Sequence, residues 1–252
     1  MRILIAGEIP FIDEVERLCR RAGHNVRVYL VEDFLGAMEA EIDVAHLADV
    51  EIAIELHNES AATKQELLTA LSAAIPADAL ILTSALATGA TQAAAWTSHP
   101  ERVVGFAVVP PVPDEGIVEL AVALQTEEQA LVQAELFWHG LGQETVIVAD
   151  GPGLVRARTV CCLINEAAGL LSEGVASAED IDRAMRLGMN FPHGPLAWAD
   201  QIGLDAVLGV MTGLFNEMGD DRYRPSPLLR RMVAADMLGR KTGRGFYPYD
   251  DE

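Results

Sequence analysis

Short apolar runs alternate with amphipathic stretches through the first 150 positions of this 252-residue chain, and each run predicts a buried strand. Arg2 to Ala6 (RILIA) predicts a strand, Phe11 to Arg21 a helix, and Asn25 to Tyr29 a second strand. Ile52 to Leu56, Ala79 to Thr83, Val103 to Val109 and Thr145 to Val148 predict further strands, with a helix over Thr63 to Ala74. This is the rhythm of a parallel α/β sheet. The run Asp150, Gly151, Pro152, Gly153 ends it, and the remaining residues read as helical. Ser177, with Asp180 three residues on, starts a helix that Gly188 stops, and Ser226 before Pro227 starts another that ends near Gly239. Between them Leu204, Val207, Leu208, Met211 and Leu214 line one face of a helix over Leu204 to Met218, the spacing of a core-facing stripe. The predicted class is therefore α/β: an N-terminal domain over residues 1–150 and an all-helical C-terminal domain over residues 151–252.

The first thirty residues open like a dinucleotide-binding unit, strand, turn, helix, strand. In the GxGxxG pattern the first glycine makes the turn, the second admits the pyrophosphate and the third lets helix and strand approach. Here Gly7 is followed by Glu8, Ile9 and Pro10, with Ile12 beyond. A branched side chain stands at the second position, and Glu8 places negative charge where a helix N-terminus attracts an anion.

Charge extends the same picture. Eighteen Lys and Arg against thirty-eight Asp and Glu give a net charge of -20, which argues against nucleic-acid partners and anionic membrane surfaces. From Val28 to Thr63 there is no Lys or Arg, whereas Glu32, Asp33, Glu39, Glu41, Asp43, Asp49, Glu51, Glu55 and Glu59 all fall there. Cys19, Cys161 and Cys162 make neither a disulfide framework nor a zinc pattern, so no metal is expected. No apolar stretch approaches the roughly 20 residues that span a bilayer. A reducing cytoplasm is the expected compartment.

The helical half resembles the C-terminal domain of the 3-hydroxyacyl-CoA dehydrogenase family, including its 3-hydroxybutyryl-CoA dehydrogenases. The matching segments are PGLVRAR (Pro152 to Arg158), the run from Ile164 to Asp205 that contains FPHGP, and Tyr223 to Tyr249 with GRKTGRGFYPY. The N-terminal half is similar through GFAVVPPVPDEGIVEL (Gly105 to Leu120) and Glu55 to Leu68. The resemblance implies a Rossmann-like N-terminal domain, shortened after its second strand, that binds NAD, and a helical domain that forms a homodimer. It also implies oxidation of a 3-hydroxyacyl-CoA to the 3-ketoacyl-CoA in fatty-acid metabolism.

The resemblance further implies a histidine base oriented by a glutamate, with a serine and an asparagine binding the substrate oxygens. The base falls at Ala107, the serine at Ala87 beside Thr88, and the asparagine at Ala157, while the glutamate is kept as Glu119. The acid that holds the adenosine ribose falls at Leu30, with Glu32 and Asp33 close by. Gly7, Glu55, Glu59 and Lys64 match the cofactor side, although the last three also read as ordinary charges at a helix entry. Two functions are open at this point. One is a noncatalytic binding or assembly protein that pairs with itself, an acyl-CoA or an active paralogue. The other is an oxidoreductase with a site rebuilt on Glu119 or on a relocated histidine among His24, His46, His57, His99, His139 and His193.

Overall fold

The computed structural model describes residues 1–39 and 47–249. Seven strands form one sheet in the order β2-β1-β3-β4-β5-β6-β7: β1 Arg2–Gly7, β2 Asn25–Leu30, β3 Ile52–Leu56, β4 Leu80–Ser84, β5 Val103–Ala107, β6 Gly116–Val122 and β7 Gln143–Val148. All neighbours run parallel except β5 and β6, which are antiparallel with Ala107 opposite Glu119. β3, β4 and β5 are buried along their whole length, as a sheet covered on both faces requires.

The first helix, α1 (Phe11–Arg21), buries Phe11, Ile12, Val15, Leu18 and Cys19 at helical spacing, and carries Asp13 and Glu14 in its first turn and Arg20 and Arg21 in its last. That charge order favours both ends of the helix dipole. α2 (Val31–Glu39) follows β2 directly, and Glu32 and Asp33 are exposed in its first turn. α3 (Ala61–Ala74) begins two residues before the sequence pattern indicates, because Ser60 accepts the Thr63 N–H as an N-cap. α4 (Ala90–Ala94) and α5 (Glu128–Gly140) complete the first domain.

The strand expected to run to Val109 stops at Ala107, where the chain enters the stretch Val108 to Pro113, whose prolines cannot donate to a ladder. β6, α5 and α2 have no counterpart among the elements expected from sequence. β6 carries Glu119 inside an apolar strand, and only its pairing with β5 and β7 makes that position interior. Glu41, Asp43 and His46 lie outside the described residues.

The second half is helical: α6 Arg156–Ser172, α7 Ala178–Gly188, α8 Pro195–Ile202, α9 Leu204–Met218 and α10 Pro227–Ala234. α7 starts at its Ser177 cap and α9 spans the predicted range. α10 ends at Ala234, short of the expected Gly239, and the chain beyond it folds into a short turn and two bridges around Arg244. One continuous apolar cluster runs from the sheet into α6, α9 and α10, through Ile164, Val207, Leu214 and Leu229. The helical domain therefore shares its core with the sheet.

Candidate active site

The carboxyl ends of the parallel strands, where ligands dock in sheets of this kind, gather two groups of side chains. The first lies at the end of β5. Glu119 is buried, 2 % exposed, and its carboxylate accepts the N–H groups of Val155 at 2.9 Å and of Arg156 at 2.9 and 3.2 Å. Both oxygens are thus held by the amino end of α6, a favourable place for a negative charge. Ala107, directly across the ladder, presents only a methyl group, and Ala157 is buried one residue into the same helix turn.

The second group lies beyond β1 and β3. Gly7 is required by packing, because a β-carbon there would overlap Leu56 on β3, so its role needs no ligand. Glu8 turns inward: its Oε1 accepts the Asn58 N–H at 2.9 Å and its Oε2 lies 2.8 Å from His57 Nδ1. The other ring nitrogen, Nε2, accepts the Ser60 N–H at 3.1 Å. Burial alone would lower the His57 imidazole, but Glu8, with Glu55 behind it, outweighs burial and the opposing Lys64, and holds it above its ordinary value.

Glu55 and Lys64 form an ion pair inside the domain, 0 % and 1 % exposed. Lys64 Nζ also donates to the carbonyls of His57 at 3.0 Å and Ser84 at 2.9 Å, and Glu55 accepts the His57 N–H and the Thr83 hydroxyl, both at 2.6 Å. Every donor of the ammonium is used. The pair ties β3, α3 and β4 together and leaves neither charge facing a ligand. Glu59 is more open and meets Lys241 at 3.3 Å; Lys241 also pairs with Asp205. Burial and the neighbouring Glu59 push the Asp205 carboxyl up to about 6 against the pull of Lys241. Leu30 is exposed at the end of β2.

Of the residues singled out from sequence, Gly7, Glu55, Glu59 and Lys64 converge on the β1–β3 end of the rim and Glu119 stands apart on β6, opposite the last residue of β5. Asn58, Asp205 and Lys241 belong to the same rim and carry no local sequence signal as site residues. Among the histidines, His24 stacks on Phe137, His99 meets Glu101, His139 meets Thr145 and His193 lies against Trp198. Burial pushes the Cys19 thiol up to about 12, and Cys161 is likewise raised by burial, so both act as small apolar side chains. Among the described residues no group of three His, Cys, Asp or Glu is placed to hold a metal ion, and no helix is long and apolar enough to cross a membrane.

Residues 12–151 match the family model described as 3-hydroxyacyl-CoA dehydrogenase, NAD binding domain, and residues 153–249 match that of the C-terminal domain of the same enzymes. The chain belongs to the 3-hydroxyacyl-CoA dehydrogenase family. It is 41% identical over 202 residues to a probable 3-hydroxybutyryl-CoA dehydrogenase of Bacillus subtilis, covering 80% of this chain and 70% of that one. It is 37% identical over 218 residues to the corresponding protein of Deinococcus radiodurans, covering 86% and 78%. Among solved structures it resembles (S)-3-hydroxybutyryl-CoA dehydrogenase PaaH1 from Ralstonia eutropha, with a TM-score of 0.78, 33% identity and 99% of both chains covered. It also resembles FadB2 of M. tuberculosis, with a TM-score of 0.82, 30% identity and 99% of both chains covered. The family match extends NAD to this chain by resemblance.

Proposed function

We propose that this family member has given up hydride transfer and serves as a noncatalytic subunit that assembles through its helical domain. The observation that carries the reading is at Ala107. A methyl group stands where the resemblance puts the general base, and the carboxylate that would orient a base is committed to the α6 amino end. Losing a general base removes a factor of about 100 to 10,000 in rate. Ala87 and Ala157 offer no side-chain donor to charge developing on oxygen.

The cofactor side supports the same reading. A dinucleotide brings phosphates to the turn after β1, where Pro10 has no N–H to give, Ile9 fills space and Glu8 holds a carboxylate against Asn58. These residues do not fit a bound pyrophosphate.

For assembly, the helical domain carries exposed Val175, Leu187 and Met189, and a groove lined by Leu171, Leu228, Met237 and Phe246 between Arg231 and Arg244. In a two-fold dimer the same groove of each copy meets its counterpart, and its apolar lining is the surface such a contact would bury. A homodimer is the proposed state and a reducing cytoplasm the proposed compartment, in keeping with three free thiols. A site rebuilt on Glu119 or on a relocated histidine has less support, since the Glu119 oxygens are taken and the described histidines have other partners. Calorimetric titration with NADH and NADPH, alongside sedimentation analysis, tests the proposal. Heats indistinguishable from dilution and a dimer are expected; saturable micromolar binding shows that the turn after β1 still admits a dinucleotide, and NADH-dependent turnover of acetoacetyl-CoA overturns the noncatalytic reading.

A further inference from the structure

Helix α9 touches the rim of the sheet through two glycines one turn apart. A β-carbon on Gly209 would overlap the carbonyl oxygen of Asn58, just beyond β3, and one on Gly213 would overlap the carbonyl oxygen of Ala87, just beyond β4. Residues four apart share a helix face, so the helical domain rests its backbone on both loops at the strand ends. Nothing larger than hydrogen fits at either point without moving helix or loop.

Three side-chain links lie around that seat. Lys241, between Glu59 of the first domain and Asp205 at the start of α9, joins the domains by charge, with its side chain 19% exposed. The Trp198 indole N–H of α8 donates to the Pro110 carbonyl at 2.9 Å. Asn58 is itself fixed: its N–H is held by Glu8 and its side-chain oxygen accepts the Ser84 hydroxyl at 2.6 Å. Glycine seat, ionic bridge and indole bond are separate in sequence and reach the same rim from three elements of the helical domain.

We propose that this chain holds its own two domains shut, through a clamp made of the Gly209–Gly213 seat and the Glu59–Lys241–Asp205 bridge, and that it stays shut whether or not a dinucleotide or acyl-CoA is present. The clamp deepens the noncatalytic reading by giving the rim an internal occupant, and it fails separately. An active enzyme that never changes shape sinks the reading and spares the clamp. An inactive chain that contracts on adding NADH does the reverse.

The test is small-angle scattering and amide hydrogen exchange on the full chain, alone and with NADH or acetoacetyl-CoA. The wild-type chain is expected to keep one radius of gyration under all three conditions, with the amides of residues 58–60 and 86–88 protected. The double variant Gly209→Ala, Gly213→Ala inserts two methyl groups into the seat and should speed exchange in both loops by about tenfold or more, while the β1 amides stay protected. Lys241→Met leaves two carboxylates facing each other and should speed residues 58–60 without adding bulk, which keeps the test alive if the double variant does not fold. A wild-type radius that contracts with either compound overturns the clamp. So do loop amides that exchange as fast in the wild type as in Lys241→Met.

Discussion

Ala107 and Glu119 face each other across the antiparallel pair β5–β6, and the Glu119 carboxylate points to the amino end of α6. In this chain the glutamate works as a helix cap that ties the last strands to the helical domain. Glu119→Gln keeps the size, removes the charge and turns an amide N–H₂ toward two backbone donors. The variant should lose about 1 to 3 kcal/mol in urea denaturation. A glutamate kept only for chemistry would leave the denaturation midpoint where it is.

The buried pair Glu55 and Lys64 makes the second prediction. Lys64→Met strands a carboxylate in the interior and should cost about 3 to 5 kcal/mol. The double variant Glu55→Gln, Lys64→Met should recover part of that loss, because it leaves no unpaired charge. Unequal but additive losses in the two single variants and the double would show that the two groups do not depend on each other.

Gly7 separates packing from ligand binding. A β-carbon at Gly7 would strike Leu56 side chain and backbone, so Gly7→Ala should destabilise the protein by about 1 to 3 kcal/mol with no nucleotide present. Thermal melts of the two proteins without ligand are the check, and equal midpoints would return Gly7 to a role in binding.

Asp205 gives a pH dependence with a definite sign. Its carboxyl is held above the ordinary value of 3.8, at about 6, so the folded state is favoured while the group is protonated. That contribution is complete below 3.8 and is lost as the pH rises through about 6. Asp205→Asn stays neutral throughout and lacks this change. The stability of wild type relative to Asp205→Asn should therefore fall between those limits in urea titrations at successive pH values. A difference that stays flat would mean that Asp205 titrates like an exposed carboxylate.

The fold was legible where local pattern decides it. Apolar runs marked β1, β3 and β4, Ser177 marked α7, and the Leu204 to Leu214 stripe marked α9. β6 was not legible, because a strand with a glutamate at its centre reads as interior only once β5 and β7 flank it. The start of α3 was missed because the Ser60 cap lies outside the apolar period.

The site divides in the same way. Ala107, Ala87, Ala157 and Glu119 came from resemblance. Convergence of Glu8 on Asn58 and of Lys241 on Glu59 joins residues 50 and 182 positions apart, and no spacing rule reaches that far. The acidic run after β2 does not act as one surface. Asp49 and Glu51 meet Arg2 at the amino end of the sheet, away from the rim that holds Glu55 and Glu59.

The most direct measurement of the central claim is steady-state oxidation of NADH with acetoacetyl-CoA by the purified chain. No consumption above the protein-free rate is expected, and none from Ala107→His alone, since Ala87 and Ala157 would still leave the oxygen without donors. Turnover by the wild-type chain at the roughly 1 to 1,000 per second usual for enzymes would contradict it.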